Sequence, residues 1–166
     1  MTWGKLLQPD LVLGNSIVNL TADILEKYHI KGLVLDVDET LVPITAINAS
    51  EELSLWVAEI KPVVSLWLAS NNLSETRIGR IAESLNLPYI TGAAKPSRRK
   101  LRKAVTQVAM VGDRLFTDVL AGNRLGMFTI LVEPMVDAGY AMRKYPVRSF
   151  EVWVSQALGA SLDSRN

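Results

Sequence analysis

Asp36 and Asp38 stand two residues apart at the end of an apolar run formed by Leu33, Val34 and Leu35. A continuous apolar run of this length is the pattern of a strand buried on both faces of a parallel sheet. In open parallel sheets, sites form just beyond the carboxyl ends of the strands, so Asp36 is placed for chemistry and Asp38 follows in the turn. A carboxylate can attack phosphorus and form an aspartyl-phosphate, while a second carboxylate protonates the leaving group and later activates water. A strand-ending aspartate can also do no more than cap the next turn, so the pair needs partners.

Candidate partners follow the later apolar runs. After residues 63–69 come Ser70, Asn71 and Asn72, a hydroxyl and amide donors suited to phosphate oxygens and equally suited to ordinary turn and cap roles. Lys95 precedes Pro96, which holds the lysine in an extended loop. After residues 107–112 come Gly112, Asp113 and, five positions beyond Asp113, Asp118. Asp113 and Asp118 could bind a divalent cation jointly with Asp36, because magnesium favours carboxylate and phosphate oxygens and would offset the repulsion between carboxylates and a phosphate dianion. Asp118 would also be favourable simply as an acid in the first turn of a helix.

The elements that must position these residues are legible in the hydrophobic pattern. Strands are expected at 32–37, 63–69, 88–91, 107–112 and 127–132. Between them, Ile17, Leu20, Ile24 and Tyr28 recur at helix spacing, Ser50 suits the N-cap of a helix over 51–60, and Ser74 suits that of a helix over 75–86. Pro96 and Ser97 open a further predicted helix through about residue 106, and 117–125 forms another. Alternating strands and helices imply an α/β fold with a doubly wound, mainly parallel sheet. No internal repeat is visible, and the polar tail after about residue 160 is expected to fray.

Composition narrows the function classes. The 166 residues fit one domain spanning 1–166, and 49% hydrophobic residues suffice for a single core. A net charge of +1 gives the whole chain no strong pull toward nucleic acid or membrane. The absence of cysteine excludes disulfides, thiolate catalysis and zinc-thiolate sites, and suits a reducing compartment. No apolar run approaches the roughly 20 residues needed to span a bilayer, and the N-terminus, broken by Pro9 and Asp10, does not read as a signal peptide. A cytoplasmic protein, soluble or peripheral at the inner face of a membrane, is the expectation.

Taken in order, Asp36, Asp38 and Thr40, then Ser70, then Lys95, then Gly112, Asp113 and Asp118 resemble the four motifs of the haloacid dehalogenase (HAD) superfamily of phosphohydrolases, over roughly residues 32–120. The resemblance implies a Rossmann-like HAD core in which Asp36 is the nucleophile and Asp38 the general acid/base, with the backbone carbonyl of Asp38 facing the metal. Thr40 supports the motif loop and joins Ser70, Asn71 and Lys95 in the phosphate-binding set. A Mg2+ ion would be held by Asp36, Asp38, Asp113 and Asp118. The segments 30–43, 69–72, 94–96 and 111–126 further resemble the YqeG group of subfamily IIIA, which includes phosphatidylglycerophosphate phosphatases. Glu39 departs from the pattern, since many members carry Asn there, but both aspartates are retained.

Asp38 and Ser70 are 32 positions apart and Ser70 and Lys95 are 25, intervals filled by the elements already assigned, so no cap domain is expected. An uncapped site favours a substrate large enough to complete the enclosure: a lipid headgroup at a membrane, a protein or a nucleic acid end. The resemblance to the YqeG group makes phosphatidylglycerophosphate the favoured substrate. The alternatives are an uncapped phosphatase of proteins, nucleic acid ends or soluble esters, and a non-catalytic binder of phosphorylated ligands. Six basic residues between Lys95 and Lys103 suit an anionic lipid surface, as they would nucleic acid, which the balanced net charge disfavours as a partner. Tyr140, Arg143, Lys144, Tyr145, Arg148, Phe150 and Trp153 mix aromatic and basic residues, and Trp3, Leu6 and Leu7 offer a second interfacial contact, although most of these aromatics are expected to pack in the core. His29, the sole histidine, is expected to be structural. The sequence carries no signal for oligomeric state.

Overall fold

Six parallel strands form one sheet: β1 (Leu11–Val12), β2 (Gly32–Leu35), β3 (Ser65–Ala69), β4 (Tyr89–Ile90), β5 (Val108–Gly112) and β6 (Phe128–Leu131), in the order β1-β6-β5-β2-β3-β4. The computed structural model describes residues 3–72, 74–93, 107–135, 149–154, 156–160 and 162. Lys95, the basic run through residue 103 and the helix expected through residue 106 lie outside the described residues. The chain runs outward from β2 through β3 to β4, then returns to the other side of β2 with β5. That reversal makes the carboxyl ends of β2 and β5 the switch point of the sheet, where a crevice opens between diverging connections.

The five expected strands are present, with trimmed ends. Their apolar residues alternate between two layers. Leu33 and Leu35 of β2, Leu66 and Leu68 of β3, and Ala109 and Val111 of β5 face one cluster, joined there by Leu25, Leu53, Trp56, Ile78 and Ile81 from the helices. Val34, Met110 and Ala121 face the opposite cluster. Helices thus pack on both faces, as the doubly wound reading requires. β2 is buried on both faces as expected, whereas β3 alternates, with Ser65 and Trp67 exposed.

The flanking helices are α1 (Trp3–Leu6), α2 (Ala22–Lys27), α3 (Glu51–Ile60), α4 (Glu75–Leu85) and α5 (Leu120–Leu125), with residues 149–154 also helical. Ser50 caps α3 as expected, its hydroxyl accepting from the Leu53 amide at 3.1 Å, a contact that typically stabilises by about 1 kcal/mol. Trp56 pins the same helix, donating its indole N–H to the Leu20 carbonyl at 2.9 Å in the core. Other expectations need correction. The helical spacing over residues 17–28 is split into a 3-10 turn, Ile17–Asn19, and α2, because Thr21 takes an extended conformation and caps the Ile24 amide. Ser74 occupies the N-cap position of α4, but its side chain makes no capping bond; its own amide donates to Asn72 Oδ1 instead. β1 had no recognisable signal, being two residues long.

Among the described residues, α3 and β3 with their connecting loops fill the interval between Asp38 and Ser70, and α4 leads from Ser70 to β4, so neither interval holds an inserted domain there. The polar tail expected after residue 160 lies almost entirely outside them.

Candidate active site

Asp36 extends β2 by one register position, donating its amide to the Val111 carbonyl at 2.9 Å, and is buried at the carboxyl end of the central strands. The chain then closes into a tight loop. The amides of Leu41 and Val42 both donate to the Val37 carbonyl, at 3.1 and 3.2 Å, and the Glu39 amide donates to the Val42 carbonyl at 2.8 Å. Closing the loop forces Glu39 to φ 69°, the left-handed region that a side chain such as Asn tolerates better than Glu. The departure at position 39 therefore falls on a conformationally demanding residue. The Glu39 carboxylate is buried and faces Arg114 at 3.5 Å.

The end of β5 supplies the other acids. Asp113 follows Gly112 directly and is 6% exposed. Residues Leu115–Val119 wind as a π-helical turn before α5, rather than as the first turn of the helix expected over 117–125. This wider turn swings Asp118 back toward the strand end, where Oδ2 accepts from the Arg114 amide at 3.3 Å and Oδ1 is buried. Gly112 permits that return: a Cβ there would overlap the carboxylate carbon and Oδ2 of Asp118.

The result is a cluster in which Asp36, Asp113 and Asp118, all buried, each present an oxygen within 4.8 Å of the others. Such a concentration of charge is unstable without a counter-charge, and the protonation of Asp113 reflects this. Its burial, then the Asp118 carboxylate, push its pKa up from 3.8 to about 7; Arg114 opposes the rise, Glu39 adds to it, and a hydrogen bond from Thr40 opposes it. That bond runs from the Thr40 hydroxyl to Asp113 Oδ1 at 3.3 Å. Burial works to lower the Arg114 pKa, but Asp113, Glu39, Glu151 and Asp36 together outweigh it and hold the guanidinium charged. An all-oxygen donor set of three buried carboxylates suits a hard divalent cation such as Mg2+.

Asp38 stands apart from this cluster. Its Oδ2 accepts from the Ser70 hydroxyl at 3.0 Å, and its Oδ1 pairs with Arg77 of α4. Ser70 lies at the end of β3, fully buried, with its amide on the Ile90 carbonyl and its hydroxyl oxygen accepting from the Asn72 amide at 3.0 Å. Arg77 also donates to the carbonyls of Pro43 and Ala46, at 3.0 and 2.8 Å.

The structure thus brings together Asp36, Asp38, Thr40, Ser70, Asp113 and Asp118 at one end of the sheet, with Asn71 exposed on the rim. Within that group, the hydroxyls of Thr40 and Ser70 address Asp113 and Asp38. The side chain of Asp38 faces Arg77 and Ser70, and the metal contact that the resemblance implies for it runs through its backbone carbonyl. Sequence reasoning missed Arg77, and it assigned no role to Arg114. The signal for Arg77 was weak: a basic residue one turn into the helix that leaves the Ser70 loop.

A parallel α/β sheet with this acidic crevice at its switch point has the form of a Rossmann-like HAD core. A family model described as HAD-hydrolase-like matches residues 90–152. The chain is 35% identical over 142 residues to the probable phosphatase YqeG of Bacillus subtilis (strain 168), a match covering 81% of each protein. It is 26% identical over 152 residues to phosphatidylglycerophosphate phosphatase 1, chloroplastic/mitochondrial, of Arabidopsis thaliana, which covers 78% of this chain and 42% of that protein. The chain belongs to the HAD family of phosphatases, in its YqeG-like group.

Proposed function

We propose that the chain is a Mg2+-dependent phosphomonoester hydrolase that works through an aspartyl-phosphate on Asp36, with phosphatidylglycerophosphate as its substrate. The observation that carries this reading is the buried cluster of Asp36, Asp113 and Asp118 at the switch point, with Asp38 separately oriented two residues beyond Asp36. Asp36, Asp113, Asp118 and the Asp38 carbonyl would hold the metal, which neutralises charge on the phosphoryl oxygens and on the carboxylates.

The residues divide the reaction as follows. A carboxylate oxygen of Asp36 attacks phosphorus in line with the ester oxygen; the P–O bond to the leaving alcohol breaks, and Asp38 supplies the proton that the alkoxide needs. Asp38, now a carboxylate, takes a proton from water as the water oxygen attacks the phosphorus of the aspartyl-phosphate. Phosphate leaves and Asp36 is regenerated. Lys95 and Asn71 complete the phosphate contacts in this reading, with Ser70 and Thr40 orienting the acids.

The lipid substrate is supported by the relative of that activity, by the open intervals around the site, and by an exposed aromatic pair. Phe150 and Trp153, expected to join the core, are instead 62% and 66% exposed and stack with ring centroids 6.3 Å apart. Adjacent aromatics on a helix suit the interfacial region of a bilayer, and Arg143, Lys144 and Arg148 precede them in sequence. Leu7 is fully buried and makes no such contact. No described helix is long and apolar enough to cross a membrane, so attachment in this reading is peripheral. Phosphate release from phosphatidylglycerophosphate in mixed micelles, compared with soluble phosphate esters, tests the assignment; equal or better turnover of the soluble esters would discard the lipid.

A further inference from the structure

The loop that leaves the site, residues 43–46, makes a tight turn closed by the Ala46 amide on the Pro43 carbonyl at 2.9 Å. Arg77 grips both ends of that turn. Its Nε donates to the Ala46 carbonyl and one terminal nitrogen to the Pro43 carbonyl, while the other terminal nitrogen binds Asp38 Oδ1. One guanidinium therefore ties α4, the 43–46 turn and the Asp38 carboxylate into a single unit, in an ion pair whose side chains are only 13% and 21% exposed.

We infer that Arg77 is a positioning residue that fixes the acid/base carboxyl and the turn beside it in one arrangement, so that the orientation of Asp38 and the seating of the turn are set together. The inference rests on the reading of Asp38 as the acid/base. A carboxyl on a loop has two freely turning side-chain torsions. Here Ser70 fixes one oxygen and Arg77 the other, and each oxygen keeps a further lone pair for the leaving group or for water. The task needs an arginine. Its planar fork presents donors in fixed directions, so three acceptors can be held at once, whereas a lysine ammonium is a single point from which the same three acceptors cannot be reached in that geometry. The turn so held carries Ile44, with Ile47 just beyond it, and both are exposed. Arg77 thereby also sets where this apolar lip stands relative to the reacting group.

The test uses the full chain with Arg77→Lys and Arg77→Gln, thermal unfolding as the folding control, kinetics on the best phosphate ester, and hydrogen exchange of the amides of residues 44–47. A displacement of about 1 Å at a reacting group lowers turnover by about a hundredfold. Arg77→Gln is expected to lower kcat by about ten- to a hundredfold with KM changed by less than about twofold. Arg77→Lys, which keeps the charge, is expected to recover less than half of the lost kcat, and both variants are expected to exchange the 44–47 amides faster than wild type. Wild-type kcat in Arg77→Gln, or full rescue of kcat and exchange by Arg77→Lys, overturns the inference, the second by showing that charge alone is needed. Should wild type hydrolyse no ester, the acid/base reading fails by itself, and the exchange of residues 44–47 still decides whether Arg77 fastens the turn.

Discussion

Asp113→Asn in metal-free protein separates the electrostatic account of the site from every other contribution to stability. The wild-type carboxyl is held up at about 7 from 3.8, with burial as the main cause. A group whose folded pKa is raised binds its proton more tightly in the folded state, so its contribution is fully present below about pH 4, falls as pH rises from about 4 to 7, and is constant above 7. At about 1.4 kcal/mol per pH unit, the interval amounts to about 4 kcal/mol. Asn keeps the shape and the Oδ1 acceptor for the Thr40 hydroxyl, yet cannot ionise. In chelator, the variant should therefore gain on wild type progressively from pH 4 to 7 and exceed it by up to about 4 kcal/mol at pH 8. Urea unfolding of both proteins at several pH values measures this difference, in which titrating groups distant from the cluster cancel while Asp118 and Glu39, coupled to Asp113, contribute to it. Excess Mg2+ at a hundred times its Kd should then stabilise wild type by about 2.7 kcal/mol at pH 8 and the variant far less. A gap between the two proteins that does not change with pH, or a variant less stable than wild type at pH 8 in chelator, would refute the reasoning.

Three further outcomes follow from particular contacts. Gly112→Ala places a Cβ on the Asp118 carboxylate and should weaken Mg2+ binding, read by calorimetry, by about 10- to 100-fold, the usual penalty for disturbing groups that orient a metal site. Glu39→Asn relieves the left-handed Glu and removes one of the acids that raise Asp113; the Asp113 titration, followed by NMR in chelator, should move down. Phe150→Ser combined with Trp153→Ser should shift folding stability by no more than about 0.5 kcal/mol, since both side chains are exposed, while sedimentation with anionic vesicles falls at least several-fold and turnover of soluble esters is unchanged.

The placement of the site's acids was legible where it depends on residue type and spacing along one strand end. Asp36 and Asp113 follow continuous apolar runs, and burial of those runs in the centre of a parallel sheet leaves the next polar residue at the crevice. Ser50 was legible because a cap is a local contact. What the sequence left hidden is set by contacts distant in the chain. β1 exists because Leu11 and Val12 pair with Ile130 and Leu131, and two residues carry no periodicity of their own. Arg77 meets Asp38 across 39 positions, so nothing in either local segment announces the pair. Asp118 was named from its spacing as a partner of Asp36 and Asp113, but the π-helical turn that carries it there was not legible, because that turn follows from how the chain packs beyond Gly112. The spacing of Ile17, Leu20, Ile24 and Tyr28 suited one helix, and the break appears only through the extended Thr21.

The central claim is a metal-dependent phosphoryl transfer to Asp36 from a lipid phosphomonoester. Phosphate release from phosphatidylglycerophosphate, measured for wild type and Asp36→Asn with Mg2+ and with chelator, tests it most directly. The expected result is turnover that requires Mg2+, exceeds that on soluble esters, and disappears in a folded Asp36→Asn protein. Turnover that survives in Asp36→Asn, or that persists in chelator, would contradict the account.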